Sequence, residues 1–198
     1  MMKSTSLHSL QTTEQTIIFV LSLWLALITV VSYFGFLTMI PLPAIALLVM
    51  IGIAIPLTIY FYSSAFQAYI RSIPPANLVA LQIWRILAGF VFLEYGKQNL
   101  LPETFVMNAG YGDLAVGLLV PILLIVGKGT RSYIAFHIFG LLDFILAVGT
   151  GLTFSLLEVP LMETIATFPL ALIPLFGVPI SGVSSVLAID ALVRKTNN

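Results

Sequence analysis

Three ionisable residues, Arg85, Asp113 and Asp143, stand inside long apolar runs of this 198-residue chain. A charge at the centre of a membrane span costs about 2.5–3.5 kcal/mol on insertion scales, so such a residue marks a site or a structural pair. One arginine, which stays protonated, faces two carboxylates. The surplus negative charge has to be compensated by a proton, a cation or the positive group of a solute. The chemistry open to this set is ion pairing, proton or cation binding and, if two carboxylates share one proton, acid–base activation of water. Gln82, one turn before Arg85, and Tyr111, two residues before Asp113, are expected as hydrogen-bonding neighbours of a ligand or ion site.

Helical spacing puts small residues on the same faces as the charges. The faces read Gln82, Arg85, Gly89 and Gly96; then Gly110, Asp113, Gly117 and Pro121; then Gly140, Asp143 and Ala147. Small neighbours admit other backbones closely and turn each charge inward. At about 1.5 Å of rise per residue, Arg85 lies about 12 Å from the cytoplasmic boundary, Asp143 about 16 Å and Asp113 about 21 Å. Arg85 is therefore expected to reach Asp143 by extending, with Asp113 as a second neighbour.

Other polar residues read differently. Glu94 and Lys97 are three apart at the end of a span and suit a local salt bridge, or, with Asn99, Glu103 and Asn108, the rim of an opening. His137 faces about 120° away from Asp143 and suits a histidine packed between helices, or a proton relay. No His-x-x-x-His or Glu-x-x-His pair supports a metal site, and no cofactor is expected. The chain has no cysteine, which removes thiolate ligands and nucleophiles. Formal net charge is zero, so no basic face is offered to nucleic acid.

The elements that must carry these residues follow from composition. Only 8% of residues are charged, against roughly 25% in a soluble domain, and mean hydropathy is +1.11. That combination implies a polytopic membrane protein with the lipid bilayer as its main partner. Six segments are long enough to cross a hydrocarbon core of about 30 Å: Ile17 to Leu37, Ala44 to Tyr62, Asn77 to Gly96, Ala109 to Val126, Ser132 to Leu152, and Pro169 to Val193. They lack the alternation of barrel strands, so an all-α bundle is expected. The domain reading is a polar tail over 1–16, a single transmembrane domain over 17–193 and a short tail over 194–198. The first span is expected to be retained rather than removed as a leader, because it exceeds a signal-peptide core.

Lys3, Arg71, Lys128, Arg131, Arg194 and Lys195 fall on one side of a six-span arrangement, with Lys97 alone opposite. The positive-inside rule then places both termini in the cytoplasm. Two connections, Phe66 to Ile73 and Leu161 to Phe168, have apolar residues at helical spacing and suit either interfacial helices or packed loops. Pro169, Pro174 and Pro179 predict a kinked or broken sixth span. Gly177, Ser181 and Ser185 form a small-residue stripe beyond them.

Gly110-Tyr111-Gly112-Asp113 resembles the Gly-x-Gly-Asp signature of intramembrane aspartyl proteases such as presenilin and the prepilin peptidases. Pro169-Leu170-Ala171-Leu172 is loosely similar to the Pro-Ala-Leu element of the presenilin branch. The resemblance implies a dyad of Asp113 and Asp143. The chain departs from it in three ways: Asp143 follows the Gly-x-Gly-Asp helix instead of preceding it, the Tyr-Asp pair is missing, and the Pro-Ala-Leu match carries an extra leucine. A broader pattern covers Gln82 to the C-terminus: Gln82-x-x-Arg85, Leu101-Pro102, Ala109-Gly-x-Gly-Asp113, Gly140-x-x-Asp143 and Leu172-Ile-Pro-x-Phe-x-Val-Pro179. It resembles a group of small bacterial integral membrane proteins without an assigned activity, which implies a common bundle in the cytoplasmic membrane.

The leading expectation is a protein that binds or passes a small solute, cation or proton between spans 3, 4 and 5, without a catalytic role. The alternatives are the protease-like enzyme and a non-catalytic subunit with a membrane-protein partner.

Overall fold

The computed structural model describes residues 2–127 and 129–196, so Lys128, counted above on the cytoplasmic side, lies outside the described residues. Among the described residues six helices are long and apolar enough to cross a membrane: Leu10–Tyr33, Leu42–Tyr62, Pro75–Lys97, Glu103–Val126, Thr130–Leu156 and Ile173–Lys195, spans 1 to 6. No strand occurs among the described residues. The first helix runs without interruption from Met2 to Tyr33, so the polar tail is helical and continuous with span 1. Span 4 begins six residues before the expected Ala109, and span 6 begins four residues after Pro169.

Span 6 is the hub. Some 61% of its most apolar window is buried, against 6% for span 1 at the periphery. It packs on spans 2 and 5, while spans 3 and 4 pack on each other. Glycine sets the closeness of that last pair. A Cβ at Gly89 would stand 2.7 Å from the Gly110 carbonyl oxygen and 2.9 Å from the Leu114 nitrogen. One at Gly117 would stand 2.7 Å from the Ile86 nitrogen. Both approaches lie well inside ordinary carbon contact, so the two backbones can meet only where side chains are missing.

Three of the four central helices leave regular α geometry. Span 3 tightens to a 3-10 turn over Leu81–Trp84 immediately before Arg85. Span 4 widens to a π turn over Met107–Tyr111, two residues before Asp113. Span 6 does the same over Ile173–Gly177, where Val178 N donates to Ile173 O. The prolines of span 6 are absorbed in this way: Pro169 precedes the helix, Pro174 sits in the π turn and the α-helix resumes at Val178. A π turn accommodates local strain without breaking the helix.

The connection after span 2 is a short helix, Ser64–Ser72. Ser63 caps it, its Oγ accepting from Phe66 N at 3.2 Å. Gln67 donates to the carbonyls of Tyr60 and Phe61 in the last turn of span 2. The helix buries Ile70 against Tyr60, Val183 and Leu187. Burial, and then the Glu14 carboxylate, push the Tyr69 phenol above its ordinary value. Between spans 5 and 6 the chain is a packed loop with a 3-10 turn, Met162–Ala166. Met162, Ile165 and Ala166 are buried in the main core, so this segment plugs the bundle rather than lying flat on it.

Candidate functional site: a buried Arg–Asp cluster with an apolar chamber

Arg85 is fully buried, at 0% exposure. Its Nε donates to Asp113 Oδ1 at 2.6 Å, and its Nη2 donates to Asp143 Oδ2. Nη1 lies 3.4 Å from the Gly140 carbonyl oxygen, and the guanidinium carbon sits 4.0 Å from the centroid of the Phe144 ring. One cation therefore ties spans 3, 4 and 5 together through two carboxylates. Room for it comes from Gly140, where a Cβ would stand 3.3 Å from Arg85 Nη1. The charge count read from the sequence survives intact: one guanidinium faces two acids. Asp113 Oδ2 accepts no hydrogen bond from the described residues.

Gln82 and Tyr111 are placed differently from expectation. Gln82 is buried but turned to span 6, where Nε2 donates to Ser184 Oγ at 3.0 Å, with Ser185 Oγ and the Ser181 carbonyl oxygen each at 3.3 Å. Tyr111 is 52% exposed on the outer face of span 4, and its hydroxyl meets no partner among the described residues. The reason is angular: two residues of an α-helix turn the chain by about 200°, so a residue two positions before an inward aspartate points outward.

His137, weighed above as a packed histidine or a relay, is buried, with Nδ1 3.1 Å from Ser185 Oγ. Ser185 Oγ is thus shared by His137 and Gln82. His137 Nε2 and Gln82 Oε1 have no hydrogen-bond partner among the described residues. Trp84 completes this layer by donating from Nε1 to Ser181 Oγ at 2.8 Å. The small-residue stripe of span 6 is therefore both a packing surface, with Gly177 against Trp84, and a polar ladder. Leu78 and Ala188, one turn beyond Gln82 and Ser184, line a cavity of about 490 Å³ together with Arg71, Arg194 and Lys195.

On its other side the cluster borders a half-open apolar chamber of about 60 Å³. Ile45 and Val49 of span 2, Phe92 of span 3, Phe144 of span 5 and Met162 and Ile165 of the packed loop line it. Asp113 and Ser155 are its polar side chains. Ile173 and Pro174, within the π turn of span 6, complete the wall.

Glu94 and Lys97 form the expected local pair at 3.7 Å, both well exposed. Gln98 donates to Glu94 as well. Asn108 Nδ2 donates to Thr150 Oγ1 and joins span 4 to span 5. The exposed Glu94–Lys97 pair stabilises by at most about 1 kcal/mol.

Fold and cluster together define a multi-pass α-helical membrane protein whose central helices share a buried arginine and two aspartates. The chain belongs to the family described as Domain of unknown function (DUF8737), whose model matches residues 42–193. That stretch takes in spans 2 to 6 and all three charged residues. No curated protein and no solved structure matches the chain.

Proposed function

We propose that this protein binds or passes a small solute, a cation or a proton at the Arg85–Asp113–Asp143 cluster. The observation that carries the reading is Asp113. It is 4% exposed, shares its single arginine with a second carboxylate, and forms part of a chamber wall with one oxygen unbonded. A purely structural ion pair would match charges and fill the adjoining space. Here one negative charge is in surplus, and the space beside it is open. Burial makes that surplus costly unless a positive partner is bound.

The geometry argues against the protease-like alternative. A catalytic dyad places two carboxyl groups around a shared proton and a water, whereas the Arg85 guanidinium binds both aspartates here. The setting we propose is the bacterial cytoplasmic membrane with both termini inside. Arg71, Arg194 and Lys195 gather around one cavity, while Lys97 sits at the far end of span 3.

The test is flux in proteoliposomes containing the purified chain, driven by a pH or sodium gradient, for wild type and Asp113→Asn. Asp113→Asn should retain its helical content and lose gradient-driven flux. Equal and measurable flux from both proteins would remove the cluster from function and leave it as a structural tie.

A further inference from the structure

The chamber beside Asp113 specifies its occupant more narrowly than a surplus charge does. Both of its polar side chains are acceptors. Asp113 offers carboxylate oxygen, and the Ser155 hydroxyl already spends its proton on the Gly151 carbonyl oxygen at 2.7 Å. A ligand must therefore bring donors, and a positive charge suits the net anionic cluster. Anionic solutes are excluded on both counts.

A bare metal cation fits poorly. Sodium-like and calcium-like ions require several oxygen ligands, about six to eight for calcium, and the remaining wall is hydrocarbon from Ile45, Val49, Phe92 and Phe144. A hydrated cation would in turn press its water shell against that hydrocarbon. An alkyl group gains by the same contact.

Size narrows the class again. The chamber of about 60 Å³ has room for several water-sized groups in a row, more than one small ion would use.

We propose that the chamber binds a short primary alkylammonium, its nitrogen donating to Asp113 and its chain of about three to five carbons lying among Val49, Phe92 and Phe144 beneath Met162 and Ile165. This rests on the reading of the Arg85 cluster as a binding site and names the ligand class for it. Loss of the charge at Asp113 should abolish binding. Narrowing the chamber should also abolish it while sparing the charges, and Ala147, which lines it one turn from Asp143, is the residue to enlarge.

The experiment is equilibrium binding of radiolabelled butylammonium to the purified full-length protein in nanodiscs, with competition by methyl- to octylammonium, butanol, butyrate and sodium. Saturable binding is expected, with affinity peaking near propyl- to pentylammonium. Butanol and butyrate should compete at least tenfold less well, and binding should be absent in both Asp113→Asn and Ala147→Leu. The chain-length series uses wild-type protein alone, so it decides the matter even if a variant fails to fold. Affinity that climbs steadily to octylammonium would mean partition into lipid and would overturn the proposal. So would butanol competing equally, or undiminished binding by Asp113→Asn. Gradient-driven proton or sodium flux that depends on Asp113, without butylammonium binding, would overturn the alkylammonium assignment and leave the broader reading standing. Absence of both would remove both.

Discussion

The Asp143 carboxylate occupies the place where Gly112 would carry a side chain: a Cβ built on Gly112 falls onto Asp143 Oδ1. The second glycine of Gly110-Tyr111-Gly112-Asp113 is thereby explained by packing. It lets an acid of span 5 rest on the backbone of span 4, one residue from Asp113, so that a single guanidinium serves both. Gly112→Ala should destabilise the protein by about 1–3 kcal/mol, as overpacking of a filled site does. Gly149, with open space around it, is the control, and its alanine variant should unfold no earlier than wild type in detergent melting curves.

Removing Arg85 should be far worse than removing the whole cluster. Arg85→Leu leaves two acids buried without their cation, a loss of about 3–5 kcal/mol. The triple variant Arg85→Leu, Asp113→Leu, Asp143→Leu should regain most of that stability, since no uncompensated charge remains. Denaturation of both in mixed micelles distinguishes them. A triple variant as unstable as the single one would show that packing of the arginine stem, not charge pairing, is what matters.

The Tyr60 hydroxyl donates to Asp190 Oδ2 at 2.7 Å from a fully buried ring, joining span 2 to span 6. A hydrogen bond to a charged acceptor contributes about 1.5–3 kcal/mol, so Tyr60→Phe should lower stability by that order. Arg194 pairs with the same aspartate at 2.9 Å, but across an exposed i,i+4 spacing. Arg194→Ala should cost much less, because solvent screens an exposed pair. Reversal of that order in unfolding measurements would contradict this assignment.

Ser185 is the junction of the second polar layer, since its Oγ meets both Gln82 and His137. Ser185→Ala would strand His137 Nδ1 beside an Nε2 that already lacks a partner. A loss of about 1–3 kcal/mol is expected, the cost of an unsatisfied buried group. The double variant Ser185→Ala, His137→Phe should recover part of it, and chemical denaturation of the two reads the difference.

The absence of cysteine makes sidedness directly measurable. Ser72 and Gln98 are exposed, near opposite ends of span 3. In intact bacterial cells a membrane-impermeant maleimide should label Gln98→Cys and spare Ser72→Cys until the membrane is opened. The reverse pattern would place the termini outside.

Much of this architecture is written locally. Apolar runs of twenty or so residues fix helices because a backbone in hydrocarbon must satisfy its own hydrogen bonds. The small residues at Gly89, Gly117 and Gly140 announce close approach through the 3.6-residue period alone. Arg85, Asp113 and Asp143 stand out because charge in a span is costly wherever it falls.

The partners of Gln82 and the chamber were settled only by tertiary structure. The π turns at Met107–Tyr111 and Ile173–Gly177 change helical register, and which register wins depends on the neighbours packed against it. Likewise, apolar spacing in the Leu161 to Phe168 stretch is equally compatible with a membrane surface and a protein core. Only the proximity of spans 2, 3 and 5 made it a buried wall of the space beside Asp113.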